Sequence, residues 1–347
     1  MVKFDTRDFG PCKNGKTAVL ISVADGSGNI ARLSSFGAAL QSLLVRDRGG
    51  QLTDVSLGYD SAAGYESADG CLGSTMGRCT GRINRSRFTL SGVEYRLSDN
   101  KNGYHMHGGF EGFHKKLWEW ELLSDGVRFT YVSADGEEGY PGELTAEVSY
   151  RWLRDGVLSL EYDCVSSKET VINLTNHSYF NLGGHACGSA LGQRLQIFSH
   201  AVAALGENTM PTGELTDIAG TPLDFRKSTV IGDRIYSDYA LIRKVGGYDH
   251  CYVIDGSGMR PAAVLSSDAT GIEMCVSTDL PVLGLYTANF LSRRRGKGNA
   301  VYGSFGGVCL ETEFMPNAVN LPEYTPRPVF KAGEHYRFTT LFTFRNI

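Results

Sequence analysis

Apolar and polar residues alternate in runs that recur from about residue 17 to residue 344. A period of two is the strand signature, because successive side chains leave a strand on opposite faces. Several of these runs flank a short polar turn. Residues 117–123 and 127–132 are separated by Ser-Asp-Gly, 147–153 and 157–162 by Arg-Asp-Gly, and 87–90 and 93–97 by Ser-Gly. Glycine tolerates the positive φ of a tight turn, so each pair predicts an antiparallel hairpin. No long amphipathic period is present, and residues 225–239 are the best place for a short helix. No linker, low-complexity break or fixed repeat interrupts the strand signals. The pattern predicts an all-β chain, with residues 1–347 forming one large antiparallel domain.

Residues 171–182 stand out within this pattern. Read as one strand, they carry Asn173, Thr175, His177, Tyr179 and Asn181 on one face. The other face is mostly apolar, with Ile172, Leu174, Phe180 and Leu182. Solvated strand faces are usually built from Lys, Glu and Thr. Amides, a phenol and an imidazole together predict the wall of a polar cleft, the alternative being a hydrogen-bonded ladder on an exposed sheet.

Four further clusters could carry chemistry. Arg78, Arg82 and Arg85 lie three and four residues apart beside Gly77 and Gly81, so their guanidinium forks could reach a ligand's hydroxyls. His105-Met-His107 would place two imidazoles on one strand face, with Glu111 four residues beyond, as in some metal-binding motifs. Without a second histidine-bearing half, a catalytic or binding histidine is the simpler reading, and no metal is expected. Asp249 follows two glycines at the mouth of a strand and could project into a cleft. Cys309, Glu311 and Glu313 share a face at period two. Two carboxylates so placed repel, and one of them is expected to hold its proton unusually tightly, as a general base near neutral pH requires.

Composition narrows the function classes. The formal net charge is -4 over 347 residues, with no basic patch interleaved with aromatics, so no nucleic-acid footprint is expected. The one dense basic run, Arg293 to Arg295 with Lys297, reads as a solvated loop. No apolar run is long enough to predict a membrane span. The start of the chain lacks the apolar core of a signal peptide. Eight cysteines without a CxxC pair are expected to be reduced and mostly buried, which suits a cytoplasmic protein.

In order along the chain, these stretches resemble the aldose 1-epimerase (galactose mutarotase) family. Gly77 to Ile83 resembles the family's Gly-Arg-x-x-Asn-Arg-Ile. Met106-His107-Gly108-Gly109, followed by Gly112-Phe113 and Trp118, resembles its Leu-His-Gly-Gly segment. Asn173 to Leu182 matches its Asn-Leu-Thr-Asn-His-Ser-Tyr-Phe-Asn-Leu without a change. Tyr248 to His250, Tyr286 to Leu291 and Cys309 to Thr312 resemble three later motifs. The resemblance implies a large antiparallel β-sandwich with an open cleft for a free hexose of the galactose or glucose class. It implies no cofactor. It implies Glu311 as the base that takes the anomeric hydroxyl proton and His177 as the acid that protonates the ring oxygen. These two are expected on opposite sides of the ring. Arg82, His107 and Asp249 would hold the ring oxygen and hydroxyls, and a Trp or Phe would stack on the apolar ring face.

Three positions depart from the family pattern. Gly81 stands where an Asn is common, Gly284 where a Gln is common, and Glu313 where many members carry Gln. The two glycines bear on sugar preference. Glu313 is expected to raise the proton affinity of Glu311 if the two are close. A non-catalytic sugar-binding module and a glycoside hydrolase are the alternatives, the latter needing two carboxyl groups at the scissile bond.

Overall fold

The computed structural model describes residues 2–68 and 71–347. They form three large sheets, and every pairing between strands is antiparallel. The three predicted hairpins are present. Glu119–Leu122 pairs with Gly126–Ser133, Leu144–Arg154 with Val157–Ser166, and Arg87–Leu90 with Val93–Arg96. The first two belong to a nine-stranded sheet that continues through His335–Asn346 and Ile272–Thr278. A six-stranded sheet runs Tyr179–Phe180, Val308–Glu313, Val282–Tyr286, Asp249–Ile254, Ser199–Leu205 and Pro211–Asp217. A five-stranded sheet is formed by the amino-terminal strands, from Lys3–Pro11 to Leu52–Asp54. The main apolar core draws on all three. Leu33 and Leu40 come from the five-stranded sheet, Phe129, Leu160 and Phe342 from the nine-stranded one, and Leu283 and Leu310 from the six-stranded one. This is the layered arrangement that two half-apolar sheets need in order to bury their inner faces. No helix among the described residues is long and apolar enough to cross a membrane.

Residues 171–182 are not one strand. Thr170–Val171 pairs with Val329–Phe330, Thr175–Asn176 with Thr75–Met76, and Tyr179–Phe180 with Val308–Glu313. The run thus passes between three separate pairings, and both of its sides are buried. Two of the amides expected to face a cleft instead hold loops. The Asn173 side chain exchanges hydrogen bonds with the Phe314 backbone at 3.1 and 2.9 Å, and Asn181 Nδ2 donates to the carbonyls of Gly188 and Gly306. Buried backbone groups must find partners, and where a strand leaves its sheet an amide side chain supplies both a donor and an acceptor.

The helix expected within 225–239 is displaced. That stretch holds the short strand Thr229–Val230 and one 3-10 turn, and the six-residue helix Ala240–Val245 begins just beyond it. Gly246 ends the helix at φ +66°, a left-handed conformation that suits glycine. A second short helix, Ala62–Ser67, starts where Ser61 Oγ accepts from the Gly64 N–H. All eight cysteines are free, four of them fully buried.

One buried cation ties the fold together away from the cavity. Lys297 Nζ bonds the Gln41 and Ser56 carbonyls, Ser42 Oγ and Asp54 Oδ2 at 2.7–2.8 Å. Its loop is thereby pinned to the strands Ala39–Arg46 and Leu52–Asp54.

Candidate active site

A cavity of about 710 Å³ gathers Arg82, His107, His177, Asp249, Glu311 and Glu313 at its wall. All five residues named from the sequence as catalytic or sugar-binding are therefore in one place. The strand Val308–Glu313 supplies the carboxyls. It pairs along its length with Val282–Tyr286 and, at Val308 and Cys309, with Tyr179–Phe180, and its two glutamates are not solvent-facing acids. Both are buried, and Gly284 lies directly across the ladder from Glu311.

His177 Nε2 is 3.5 Å from Glu311 Oε1, and both side chains are more than nine-tenths buried. The His177 ring stacks on Tyr179 with centroids 5.0 Å apart. Its backbone is held by hydrogen bonds to Ser74 and from Gly73. Burial pushes the imidazole pKa down to about 4, slightly opposed by the field of Asp249, so the ring is neutral at pH 7. Glu311 moves the other way. Burial, and then the neighbouring Glu313 and Asp249 charges, raise its pKa well above the ordinary carboxyl value, against the pull of Arg82. Burial also lifts Glu313, to about 8. The proton affinity foreseen for the Glu311–Glu313 pair is therefore present, with burial as its largest cause. The proposed acid and base adjoin, with His177 and Glu311 side by side on the cavity wall.

His107 sits just past the strand Tyr104–Met106 at φ +51°. The chain can turn there because Gly108 follows at φ +84°, where a Cβ would lie 1.6 Å from the Gly77 carbonyl oxygen. This turn corrects the expected pairing of His105 with His107. The His105 ring bonds the Ser98 carbonyl and Tyr140 Oη, both at 2.8 Å, whereas His107 Nδ1 faces Thr80 Oγ1 at 3.2 Å and the Gly81 N–H at 3.3 Å. A backbone N–H can only donate, so Nδ1 is the acceptor and the His107 proton rests on Nε2.

Arg82 pairs with Asp249 at 3.3 Å. Burial works against its charge, but the attraction of Asp249 more than offsets this and raises its pKa. Its Nε is buried without a hydrogen-bond partner in the protein. Asp249 is delivered by the Gly246-Gly247 turn. Asn289 Nδ2 buttresses that turn through the Val245 and Tyr248 carbonyls, which gives the Tyr286–Leu291 stretch a structural task. The other arginines of the cluster lie elsewhere. Arg78 is buried and bonds the Ser133, Ala134, Pro141 and Gly142 carbonyls, while Arg85 is exposed.

Several lining residues were not singled out as site residues from the sequence. Phe110 and Phe290 are exposed large apolar side chains at the cavity. Trp118, by contrast, is buried in the core and donates to the Phe113 carbonyl. Lys101, Lys115, Lys244 and Arg294 also line it. Arg294 thus reaches the cavity from a basic run expected to be a solvated loop, with Arg294–Arg295 paired to Val301–Tyr302. The two glycine departures differ in kind. A Cβ on Gly81, at φ +69°, would lie 2.7 Å from Pro316, so a side chain does not fit there. A Cβ on Gly284 would meet Glu313 Oε1 at 3.2 Å, so Glu313 occupies the space beside it.

The aldose 1-epimerase family model matches residues 19–343. Galactose mutarotase of Bos taurus is 40% identical over 312 residues, covering 89% of each chain. The chain belongs to the aldose 1-epimerase family. Aldose 1-epimerase of Escherichia coli K12 is 33% identical over 336 residues, covering 95% of this chain and 96% of its own. Among solved structures, galactose 1-epimerase from Lactobacillus acidophilus superposes with a TM-score of 0.87 at 27% identity, over 100% of this chain and 99% of its own. An aldose epimerase homologue from C. elegans gives the same TM-score at 26% identity, over 94% and 99%. The family's members are isomerases acting at an anomeric carbon, and the β-sandwich expected from the sequence is the fold of these neighbours.

Proposed function

We propose that the protein interconverts the α and β anomers of a free hexose of the galactose or glucose class. In this reading residues 1–347 act as one domain in the cytoplasm and need no cofactor. The observation that carries it is the His177–Glu311 contact at 3.5 Å inside a cavity that also holds Arg82, His107 and Asp249. In a pyranose the anomeric hydroxyl and the ring oxygen are bonded to the same carbon. An adjoining acid and base therefore reach both oxygens at once, with no need to face each other across the ring. With the pair's one proton on His177, Glu311 takes the proton of the anomeric hydroxyl, and His177 gives its own to the ring oxygen as the C1–O5 bond breaks. The aldehyde turns about C1–C2, and closure on the other face reverses the two roles. His107 Nε2–H, Arg82 and Asp249 bind ring oxygens and hydroxyls. Each positioned proton-transfer group contributes about 100- to 10,000-fold, and fixing both on one sugar adds a proximity effect.

Optical rotation after fresh α-D-galactose or α-D-glucose is dissolved at neutral pH tests this reading. The expected result is a faster approach to the anomeric equilibrium. No acceleration with either sugar would reject it and leave the sugar-binding module.

The pair works with one proton between its two members, since it must give a proton and take one in the same turnover. Activity should fall at low pH as His177 gains a second proton, and at high pH as Glu311 loses its own. Glu313 ionises near pH 8 and from there helps Glu311 to keep its proton. Glu313→Gln removes that charge. The alkaline limb of kcat/KM should then move to lower pH while the acid limb stays in place. An unmoved alkaline limb would show that Glu313 does not act on the pair.

A further inference from the structure

Cys309 has no part in the proton transfers, yet it lies against them. It shares a face of Val308–Glu313 with Glu311, and its Sγ is 3.5 Å from His177 Nδ1. Glu311 Oε1 is 3.5 Å from the other nitrogen of the same ring. One thiol, one imidazole and one carboxylate thus offer donor atoms that all lie within 4.8 Å of one another, each on a buried residue. Two elements fix them: a central strand holds two of the positions, and the third lies in the run whose backbone is tied to Gly73 and Ser74.

Sulfur, nitrogen and oxygen donors in one cluster suit a borderline-soft cation rather than Ca²⁺ or Mg²⁺, which take oxygen. Tetrahedral zinc, with bonds of about 2.0–2.3 Å, holds neighbouring donors roughly 3.3–3.7 Å apart. Through either ring nitrogen, one neighbouring donor already stands at that spacing, and the third donor, within 4.8 Å, has to draw in as the ion binds. Three protein ligands leave one coordination position, which would open toward the cavity that His177 and Glu311 line.

We propose that His177, Cys309 and Glu311 form a binding site for a thiophilic divalent cation, Zn²⁺ by its donor set, and that the ion and the sugar exclude one another. Binding is a ligand exchange without redox. The metal forms bonds to Sγ, to one ring nitrogen and to a carboxylate oxygen. The thiol proton, and the Glu311 proton where present, leave to solvent. Affinity therefore rises with pH. The bound ion takes the His177 lone pair and the Glu311 oxygen that proton transfer uses. This inhibitory consequence rests on the function proposed above, whereas the binding itself does not.

Cobalt(II) titration of the intact protein reads the site directly, because a Co–thiolate bond gives a near-ultraviolet charge-transfer band. Wild type should show that band and bind one equivalent. Cys309→Ala, which keeps the other seven cysteines, should lose it. Glu311→Gln should weaken cobalt binding about tenfold or more, and it decides the matter if the cysteine variant fails to fold. Micromolar Zn²⁺ should abolish the polarimetric rate, EDTA should restore it, and galactose should protect. A band that survives in Cys309→Ala, or zinc binding that galactose does not oppose, overturns the proposal. Absence of mutarotation in metal-free wild type overturns the function reading instead and leaves the cobalt result to stand or fall alone.

Discussion

Glu311→Gln should lower the rate of anomer exchange by about 100- to 10,000-fold while leaving the fold intact. Glutamine keeps the shape and the acceptor oxygen beside His177 but cannot take the anomeric proton. The loss should fall on kcat, with KM little changed, because the group acts in the transition state more than in binding. Stability should not suffer. Burial and two neighbouring carboxyls disfavour the ionised form of Glu311, so a neutral amide removes an unfavourable charge at alkaline pH. Polarimetry under saturating galactose, with thermal melts at pH 7 and pH 9, checks both halves. A variant that retains wild-type kcat would remove Glu311 from the chemistry. A variant that melts well below wild type would show that the residue also holds the fold.

The largest stability effect is expected far from the sugar, at Lys297. Its side chain is 6% exposed and its partner Asp54 16%. Burial disfavours the ammonium charge, and Asp54 supports it. Lys297→Met fills much the same volume but strands the Asp54 carboxylate and leaves two carbonyls without their donor. Breaking a buried pair from one side costs about 3–5 kcal/mol. Replacing both partners, as in Lys297→Met with Asp54→Leu, should recover much of that loss, since a matched apolar pair avoids burying charge. Urea midpoints of the single and double variants measure the difference. Equal destabilisation by both would mean that the lost backbone contacts, not the stranded charge, dominate.

The strands announced themselves where two local signals agreed. Alternation and a glycine turn together identify the Glu119–Ser133, Leu144–Ser166 and Arg87–Arg96 hairpins, because hairpin register is a short-range property. The Glu311–Glu313 pair was legible for the same reason, since period two places both on one face of any strand. Residues 171–182 were misread because their partners are far away in the chain. Phe314 lies 141 residues from Asn173, and Gly306 lies 125 from Asn181. His105 and His107 follow the same lesson. A single residue at positive φ sends their rings to different neighbours, and only the Gly108–Gly77 approach explains why. Phe110 and Phe290 were not singled out, although Phe290 lies in the Tyr286–Leu291 motif, because an exposed aromatic in a loop looks like any other until the cavity forms beside it.

The run from Thr170 to Phe180 joins three pairings within eleven residues. A clasp of this kind cannot open one sheet without loosening the others, so the stretch around His177 has no local route to exposure. Its backbone amides are therefore expected to exchange slowly, with the sheets they join and not as a breathing loop, which hydrogen exchange would read. The histidine proposed as the acid is thus held by a run anchored at three places, and any mobility needed for sugar entry and release is expected from the surrounding rim.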